Sequence, residues 1–208
     1  MEFSLLCFTG IVNRFRGFFC MTVLIFISEE PTMKKMTFTA MAAVLICVCS
    51  WITIPFTIPF TMQTFAVFFA VLFLGGKNGI AAIALYLLMG MIGLPVFSGF
   101  RGGIGHLLGP TGGYIVGFLF TGIFYLMLEP FQKKSRFIRW VALAGGLVLC
   151  YLAGTLWFII VTGSNGGAYT FWSALSLCVL PYIIPDCAKM ILAVYLSDRV
   201  KKHVALND

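Results

Sequence analysis

The sequence predicts an all-α membrane protein with six transmembrane helices, both termini in the cytoplasm, and irregular outer loops that close a ligand pocket. The first observation is composition: 61% of the 208 residues are hydrophobic and 10% are charged, whereas soluble domains average about 45–50% and about 25%. The second is a glycine- and proline-rich segment, 93–114, that interrupts the apolar runs. The third is that basic residues fall in short clusters between these runs, as in cytoplasmic loops.

Six apolar runs are candidate membrane spans, because a helix needs about 20 apolar residues to cross the hydrocarbon layer and somewhat fewer where the bilayer thins. They lie at residues 36–54, 64–75, 79–93, 112–128, 140–162 and 186–200. A proline-rich break, 54–63, follows the first span and a polar turn, 163–167, follows the fifth. Between that turn and the sixth span, Pro181 and Pro185 limit the chain to a short apolar helix at the membrane surface.

The charges of the connecting segments predict the orientation. One side holds the basic clusters, namely Lys34, Lys35, Lys77, Lys133, Lys134, Arg136, Arg139, Arg199, Lys201 and Lys202. The loops of the other side, 54–63, 94–111 and 163–170, contain one basic residue, Arg101, and no acidic residue. Since cytoplasmic loops carry the excess of lysine and arginine, the basic side is predicted to be cytoplasmic. We therefore expect a multi-pass protein of the cell membrane, in contact with the lipid bilayer and not with nucleic acid.

The first residues of the chain are set apart from the rest. Apolar runs at 4–12 and 18–28 are too short to span, and the basic residues between them, without a clear cleavage site, argue against a signal peptide. The run Met-Lys-Lys-Met at 33–36 is typical of the start of a membrane protein. We expect an N-terminal extension at 1–32, whose status stays open, and one six-helix membrane domain at 33–208.

The glycine- and proline-rich segment 93–114 is predicted to form the wall of a binding site. Its composition is incompatible with a long regular helix, and irregular backbone beside a membrane is tolerated where protein buries it or where it lines a cavity. Arg101 in this segment is either a solvated loop residue or the partner of an anionic ligand group. A hydrogen-bonded structural role is the more common one for a lone loop histidine such as His106.

Asp186 and Lys189 are the strongest candidates for ligand contacts. They lie three residues apart and so share one face of a helix. Pro185 suits a helix start, which predicts an ionised Asp186 near the positive end of the helix dipole. Ionisable residues within a span cost roughly 2.5–3.5 kcal/mol each on insertion scales and usually face a cavity or a partner. A self-contained ion pair is the alternative, and we favour the ligand site.

The sequence contains few candidate residues for catalysis or cofactor binding. The seven cysteines show no Cys-x-x-Cys spacing, so buried small hydrophobes are expected rather than metal ligands or disulfides. The chain has no P-loop and no Ser/His/Asp set, so we expect neither an enzyme nor a bound metal or cofactor. Small residues at Thr39, Ala43 and Cys47 form a stripe on the first span, which is either a partner-binding surface or an internal packing face.

Several motifs resemble the BioY family of biotin-transporter subunits. They are Pro-Phe-Thr-Met-Gln-Thr-Phe-Ala-Val at 59–67, Gly-Leu-Pro-Val-Phe at 93–97, Gly-Gly-Ile-Gly at 102–105, Leu-Gly-Pro-Thr-Gly-Gly-Tyr at 108–114 and Pro-Asp-Cys-Ala-Lys at 185–189. The resemblance implies a six-helix substrate-capture (S) component of an energy-coupling-factor transporter. Such a protein binds biotin from outside and works with a transmembrane coupling subunit and two ATPase subunits. The resemblance implies that small residues of the first helix contact the coupling subunit.

Biotin chemistry then suggests roles for individual residues. The resemblance places Asp186 and Lys189 in the vitamin pocket, where they suit the ureido ring, and Gln63 either bonds an amide-like group or caps the second span. Arg101 is the candidate for the carboxylate, although the reverse pose places the carboxylate on Lys189. The apolar walls are expected from Trp51, Tyr86, Phe97 and Tyr114. Two alternatives stay open: the chain is an S component for another vitamin, or it is a membrane-embedded lipid-modifying enzyme.

Overall fold

The structure is a computed structural model that describes residues 31–54, 59–132, 136–164 and 170–203. The chain divides into two compact units, Met1–Phe38 and Thr39–Asp208. Of the first unit, the described part is the beginning of one helix. Several predicted features lie outside the described residues. They are most of the extension 1–32, part of the proline-rich break and of the polar turn, and the basic residues Lys133 and Lys134.

Helices account for most of the described residues. In chain order they are α1 Pro31–Trp51, α2 Gln63–Met91, α3 Ile104–Leu107, α4 Gly112–Gln132, α5 Arg136–Ser164, α6 Phe171–Cys178 and α7 Leu180–His203. In this part of the chain five helices, α1, α2, α4, α5 and α7, are long and apolar enough to cross a membrane. The helical membrane class that the sequence predicts is therefore confirmed.

A short strand pair replaces part of the break that the sequence analysis predicted as irregular. The strands are β1 Thr53–Ile54 and β2 Phe60–Thr61, which pair antiparallel with Thr53 opposite Thr61. The predicted first span, 36–54, is therefore too long at its end, because α1 stops at Trp51 and the chain becomes extended. The strand pair brings Thr61 to the start of α2, next to Gln63.

Helix α2 consists of two helical arms joined at Gly75. The backbone of Gly75 has φ 80° and ψ 169°, which is far from helical. Gln63 Nε2 in the first arm donates to the Tyr86 hydroxyl in the second at 2.9 Å, whereas a continuous helix would separate these residues by about 35 Å. The chain therefore doubles back at Gly75, the last residue of the second predicted span.

Close contact between the two arms depends on a small residue after the turn. A Cβ at Gly79 would lie 2.7 Å from Val71 Cα, so a larger residue there would force the arms apart. The start of the second arm is capped by helix α4, since Glu129 Oε2 accepts a hydrogen bond from the Gly76 N–H at 3.0 Å. A carboxylate at a helix N-terminus also interacts favourably with the helix dipole.

Helix α7 begins at Leu180, so the prediction of a helix start at Pro185 is wrong. Pro181 lies in the first turn, where a missing N–H removes no helical hydrogen bond, and Pro185 lies inside the helix. Asp186 is consequently in the second turn, and the argument that places it at the positive end of the dipole does not apply. The short apolar helix predicted before the sixth span is α6.

Helices α4 and α5 pack closely along small residues. A Cβ on Gly117 of α4 would lie 2.9 Å from Cys150 Sγ of α5. One turn further on, the Thr121 hydroxyl donates to the Gly146 carbonyl at 2.9 Å. Small residues permit this approach in membrane helices, and a hydroxyl can then bond across the interface. The sequence analysis looked for such a stripe on the first span and missed this interface.

The stripe on α1 is largely internal. Ala43 is 0% exposed and Cys47 is 5% exposed, and both belong to the hydrophobic core. Thr39 is partly exposed. The burial of Ala43 and Cys47 favours the internal packing face, the alternative that the sequence left open, because a fully buried side chain cannot contact a partner without repacking the core.

Candidate ligand-binding site

A cavity of about 70 Å³ lies among β2 and helices α2, α4, α5 and α7. One end of it is polar and includes Gln63, Asp186, Lys189 and the Tyr151 hydroxyl. The remaining wall is mainly apolar or aromatic, with Phe60, Tyr114, Phe118 and Tyr182 among its members. A mostly apolar cavity with a few convergent polar groups is the usual form of a small-molecule site.

Asp186 and Lys189 form a buried ion pair at the polar end. Lys189 Nζ lies 2.7 Å from Asp186 Oδ1, and each side chain is only 6% exposed. The Tyr151 hydroxyl donates to Asp186 Oδ2 at 2.5 Å. Lys189 Nζ also donates to the Thr61 carbonyl at 2.6 Å and lies 3.8 Å from the centre of the Phe60 ring. Both charges are thus compensated within the chain.

The ion pair retains capacity for further hydrogen bonds. A carboxylate offers about four lone-pair positions and an ammonium three N–H donors, and the interactions given above use part of each set. Both residues line the cavity. A ligand can therefore add an N–H donor to Asp186, or an oxygen acceptor to Lys189, without breaking the pair.

Four of the eight predicted substrate-binding residues line this cavity. Asp186, Lys189, Gln63 and Tyr114 belong to its wall. The Tyr114 hydroxyl shares a hydrogen bond of 3.1 Å with the Thr155 hydroxyl, which fixes the orientation of the ring. These residues come from α2, α4 and α7, so the fold brings together side chains that are distant in the sequence.

Tyr86 and Phe97 lie behind the cavity wall rather than in it. Both are 0% exposed, and their rings meet edge to face with centroids 5.6 Å apart. The Tyr86 hydroxyl accepts the hydrogen bond from Gln63 Nε2. In this structure they support the wall, since Tyr86 holds Gln63 at the cavity, and their contact with a ligand stays a prediction.

Trp51 and Arg101 also lie outside the cavity lining. Trp51 Nε1 donates to the Pro95 carbonyl at 2.9 Å, and its ring stacks on Phe100 at 5.0 Å, so Trp51 anchors the 93–103 loop to the end of α1. Arg101 is exposed on this loop, and its carbonyl accepts a hydrogen bond from the Phe97 N–H at 2.9 Å. Of the loop, Ser98 lines the cavity.

His106 packs beneath the same loop. Its ring stacks on Phe97 with centroids 5.3 Å apart. Burial disfavours the charged ring, and nearby Arg101 repels it, so the pKa of His106 is lowered from its usual value. The ring is held by stacking, and its buried Nε2 has no hydrogen-bond partner among the described residues, so the hydrogen-bonded role stays a prediction.

Three contributors to the polar end escaped the sequence analysis. Tyr151 is a tyrosine inside an apolar span, and that pattern is a usable signal because a buried tyrosine hydroxyl normally has a partner. Phe60 and Thr61 belong to the 59–67 motif, but nothing in it indicates their roles, since they act through a ring face and a backbone carbonyl that the strand pair positions. Among the described residues, no group of three or more histidine, cysteine or acidic side chains could hold a metal ion.

Comparisons with known proteins identify the family. The BioY family profile matches residues 20–206. The chain belongs to the BioY family. It is 36% identical over 173 residues to the biotin transporter BioY of Thermotoga maritima, covering 82% of this chain and 97% of that protein. It is 38% identical over 141 residues to the probable biotin transporter BioY of Pyrococcus horikoshii, covering 66% of this chain and 79% of that protein.

A solved structure has a similar fold. It is a crystal structure of the S-component for biotin from an ECF-type ABC transporter, with a TM-score of 0.74 and 27% identity, covering 84% of this chain and 94% of that chain. Family membership confirms the resemblance found in the motifs. It also confirms that the chain is not an enzyme, because the BioY relatives are transporters. The family match begins at residue 20 and so includes part of the segment 1–32 that was set apart.

Proposed function

We propose that this chain is the biotin-binding S component of an energy-coupling-factor transporter in the cell membrane. The observation that carries the proposal is the buried Asp186–Lys189 pair at one end of a mostly apolar cavity. Its chemistry matches a ligand with a polar ring at one end and an apolar body, and the relatives of this chain are biotin transporters.

The ureido ring of biotin offers two N–H donors and one carbonyl acceptor. Asp186 accepts from the donors and Lys189 donates to the carbonyl, while Gln63 supplies a further amide. The apolar ring system and valeryl chain then pack against Tyr114, Phe118 and the other aromatic residues of the wall. The cavity of about 70 Å³ is smaller than the roughly 300–1,000 Å³ of typical ligand pockets, so binding requires the cavity to widen.

The biotin carboxylate has two candidate partners. Arg101 reaches it if the 93–103 loop folds over the bound ligand, and Lys189 binds it in the reverse pose. Biotin and biotinamide, its neutral carboxamide, distinguish these poses. If Arg101 binds the carboxylate, Arg101→Gln weakens binding of biotin and leaves biotinamide unchanged. If the reverse pose is correct, Arg101→Gln changes neither affinity.

We further propose that the chain crosses the membrane six times, with α2 crossing twice, and that both termini are cytoplasmic. The turn at Gly75 and the basic clusters in the sequence support this topology. Cysteines introduced at Thr170 and Lys202, which are exposed, test it in a background without native cysteines. An impermeant thiol reagent added to intact cells should label the first position and spare the second. The opposite pattern would reverse the orientation.

The partners that follow from this function are biotin, a transmembrane coupling subunit and two ATPase subunits. Calorimetry on the full chain in detergent micelles tests the binding step. Biotin should bind with one saturable site and no turnover, while thiamine and riboflavin should give no heat of binding. Binding of another vitamin without biotin would make the chain an S component for that vitamin. Uptake that depends on added coupling and ATPase subunits tests the partners.

A further inference from the structure

A second cavity lies away from the ligand site, and its lining is rich in N–H donors. Its volume is about 140 Å³, and it is lined by Leu72, Tyr125, Gln132, Arg136, Arg139 and Lys201. None of these residues lines the cavity at Asp186. Along α7 alone, Lys201 is about 22 Å from Asp186. The two cavities are therefore separate sites near opposite ends of the helices.

The charge of this second cavity is positive. Among the described residues, its lining contains three cations and no carboxylate. Arg139 is paired outside the lining, since its Nη1 and Nη2 donate to the two oxygens of Asp198 at 2.7 and 3.0 Å. Glu129 lies near Tyr125 of the lining as well, so the three cations are set against two nearby carboxylates and the balance stays positive. Arg136 begins α5, and the positive end of the helix dipole adds to this field.

Two buried donors of the lining make no well-formed hydrogen bond, although the Gln132 amide lies beside the Tyr125 hydroxyl. Arg139 Nε and Gln132 Nε2 are inaccessible to solvent and make no hydrogen bond within the described residues. Buried N–H groups in proteins are almost always hydrogen-bonded, and a bound water or ion is one explanation of an exception. The bidentate pair with Asp198 fixes the Arg139 guanidinium, so its Nε–H is held in place for a further acceptor.

We propose that this cavity binds a phosphate group, supplied by the headgroup of an anionic membrane lipid or by free phosphate. The phosphate oxygens accept from Arg139 Nε and Gln132 Nε2, while Arg136 and Lys201 neutralise the charge. The volume is well above the roughly 10–15 Å³ that one water needs, so a group of several atoms fits. Arg136 and Lys201 are exposed, which gives the group a way in from the headgroup layer.

Charge-matched variants of the full chain test the proposal. Arg136→Gln/Lys201→Gln removes two charges from the lining without disturbing the Arg139–Asp198 pair. Lys77→Gln/Lys202→Gln removes two exposed charges that do not line the cavity. Gln132→Glu keeps the size of the side chain and places a carboxylate in the site, so it should abolish phosphate binding even if the double variant folds poorly. Circular dichroism and elution volume report folding.

The probes are phosphatidylglycerol, phosphatidylcholine and inorganic phosphate. Native mass spectrometry should find one phosphatidylglycerol bound at least roughly tenfold more tightly than phosphatidylcholine, and a loss of roughly tenfold or more in Arg136→Gln/Lys201→Gln and in Gln132→Glu. Lys77→Gln/Lys202→Gln should retain it. Thermal stabilisation by inorganic phosphate over chloride at equal ionic strength, lost in the same two variants, would assign the site to free phosphate instead.

Three outcomes would overturn the phosphate site. The parent chain could bind neither phosphatidylglycerol nor phosphate, which would leave ordered water as the occupant. The two double variants could lose binding equally, which would indicate diffuse surface charge. Gln132→Glu could bind both probes as the parent chain does, which would place the phosphate elsewhere.

Discussion

An ion pair lies near each end of helix α7, and the two pairs differ in their surroundings. The Lys189–Asp186 and Arg139–Asp198 contacts are both 2.7 Å long. The side chains of the first pair are each 6% exposed, whereas those of the second are 21% and 44% exposed. The shortest contact is therefore the same in both pairs, although the Arg139–Asp198 pair is bidentate. The desolvation of the charges differs strongly, and it determines what each pair does to stability.

The difference indicates which pair serves a ligand. Removing two charges from water costs several kcal/mol per ion, and a buried pair is often no more stable than apolar residues of the same size. An exposed pair costs little to form and contributes about 0–1 kcal/mol. The Asp186–Lys189 pair is thus poorly explained as a stabilising device, and its position in a cavity wall agrees with ligand binding.

The largest expected effect is on stability at the buried pair. Asp186→Ala leaves Lys189 buried without its carboxylate and should cost about 3–5 kcal/mol of unfolding free energy. Asp198→Ala, the matched change at the exposed pair, should cost less than about 1 kcal/mol. Unfolding in detergent micelles measures both. Equal losses would mean that the two environments do not differ as their exposures indicate.

A smaller loss of stability is expected from overpacking α1. Ala43→Trp inserts a large side chain into the core and should destabilise the chain by about 1–3 kcal/mol or more, with biotin binding reduced as the helix shifts. Val48→Trp, at a position 38% exposed on the same helix, is the control and should have little effect. If Ala43→Trp binds biotin normally but loses uptake, the stripe contacts the coupling subunit after all.

A third effect concerns the tyrosine that supports Asp186. Tyr151→Phe removes the hydroxyl that donates to Asp186 Oδ2, and a hydrogen bond to a charged group is worth about 1.5–3 kcal/mol. Biotin affinity should fall by roughly tenfold or somewhat more, as measured by calorimetry. Tyr195→Phe, at an exposed position on α7, should change nothing. Unchanged affinity in Tyr151→Phe would separate this hydroxyl from ligand binding.

The smallest effect is a pH dependence from His106. Its pKa is lowered from 6.5 by burial and by Arg101, so the unfolded chain binds this proton at a higher pH than the folded chain does. The contribution of His106 to the free energy of unfolding is therefore fully present above about pH 6.5, and it is lost as the pH falls toward the pKa of the folded state. Thermal melts at about pH 7.5 and about pH 5.5 should show a larger loss in the parent than in His106→Gln. Identical losses would contradict this origin.

Apolar runs and charge clusters predicted most of the fold. Length, composition and the positions of lysine and arginine are local features of the sequence. They identified the helices and the end of the second span at Gly75, where the chain turns. The boundaries near Pro185 were wrong because either of two prolines could begin the helix, and only packing decides between them. The strand pair at Thr53 and Thr61 has no strong local signal.

The site was predictable where it depends on unusual residues and unpredictable where it depends on the path of the chain. Aspartate and lysine are rare inside an apolar span, so the sequence alone indicated Asp186 and Lys189 as candidate ligand contacts. Arg101, Trp51, Tyr86 and Phe97 have suitable side chains for a vitamin, but the fold of the 93–103 loop places them behind or outside the cavity lining. The carbonyl of Thr61 could not be predicted, since any residue type supplies one.

Calorimetry of biotin with two isosteric variants tests the central claim most directly. Asp186→Asn replaces an anion that accepts ureido N–H groups with an amide, and it should weaken binding by more than roughly tenfold, or about 1.5–3 kcal/mol. Asp198→Asn makes the same change at the exposed pair and should bind biotin like the parent chain. If the Asp186→Asn variant folds and binds biotin as tightly as the parent chain does, the buried pair is purely structural. That result would contradict the proposed site.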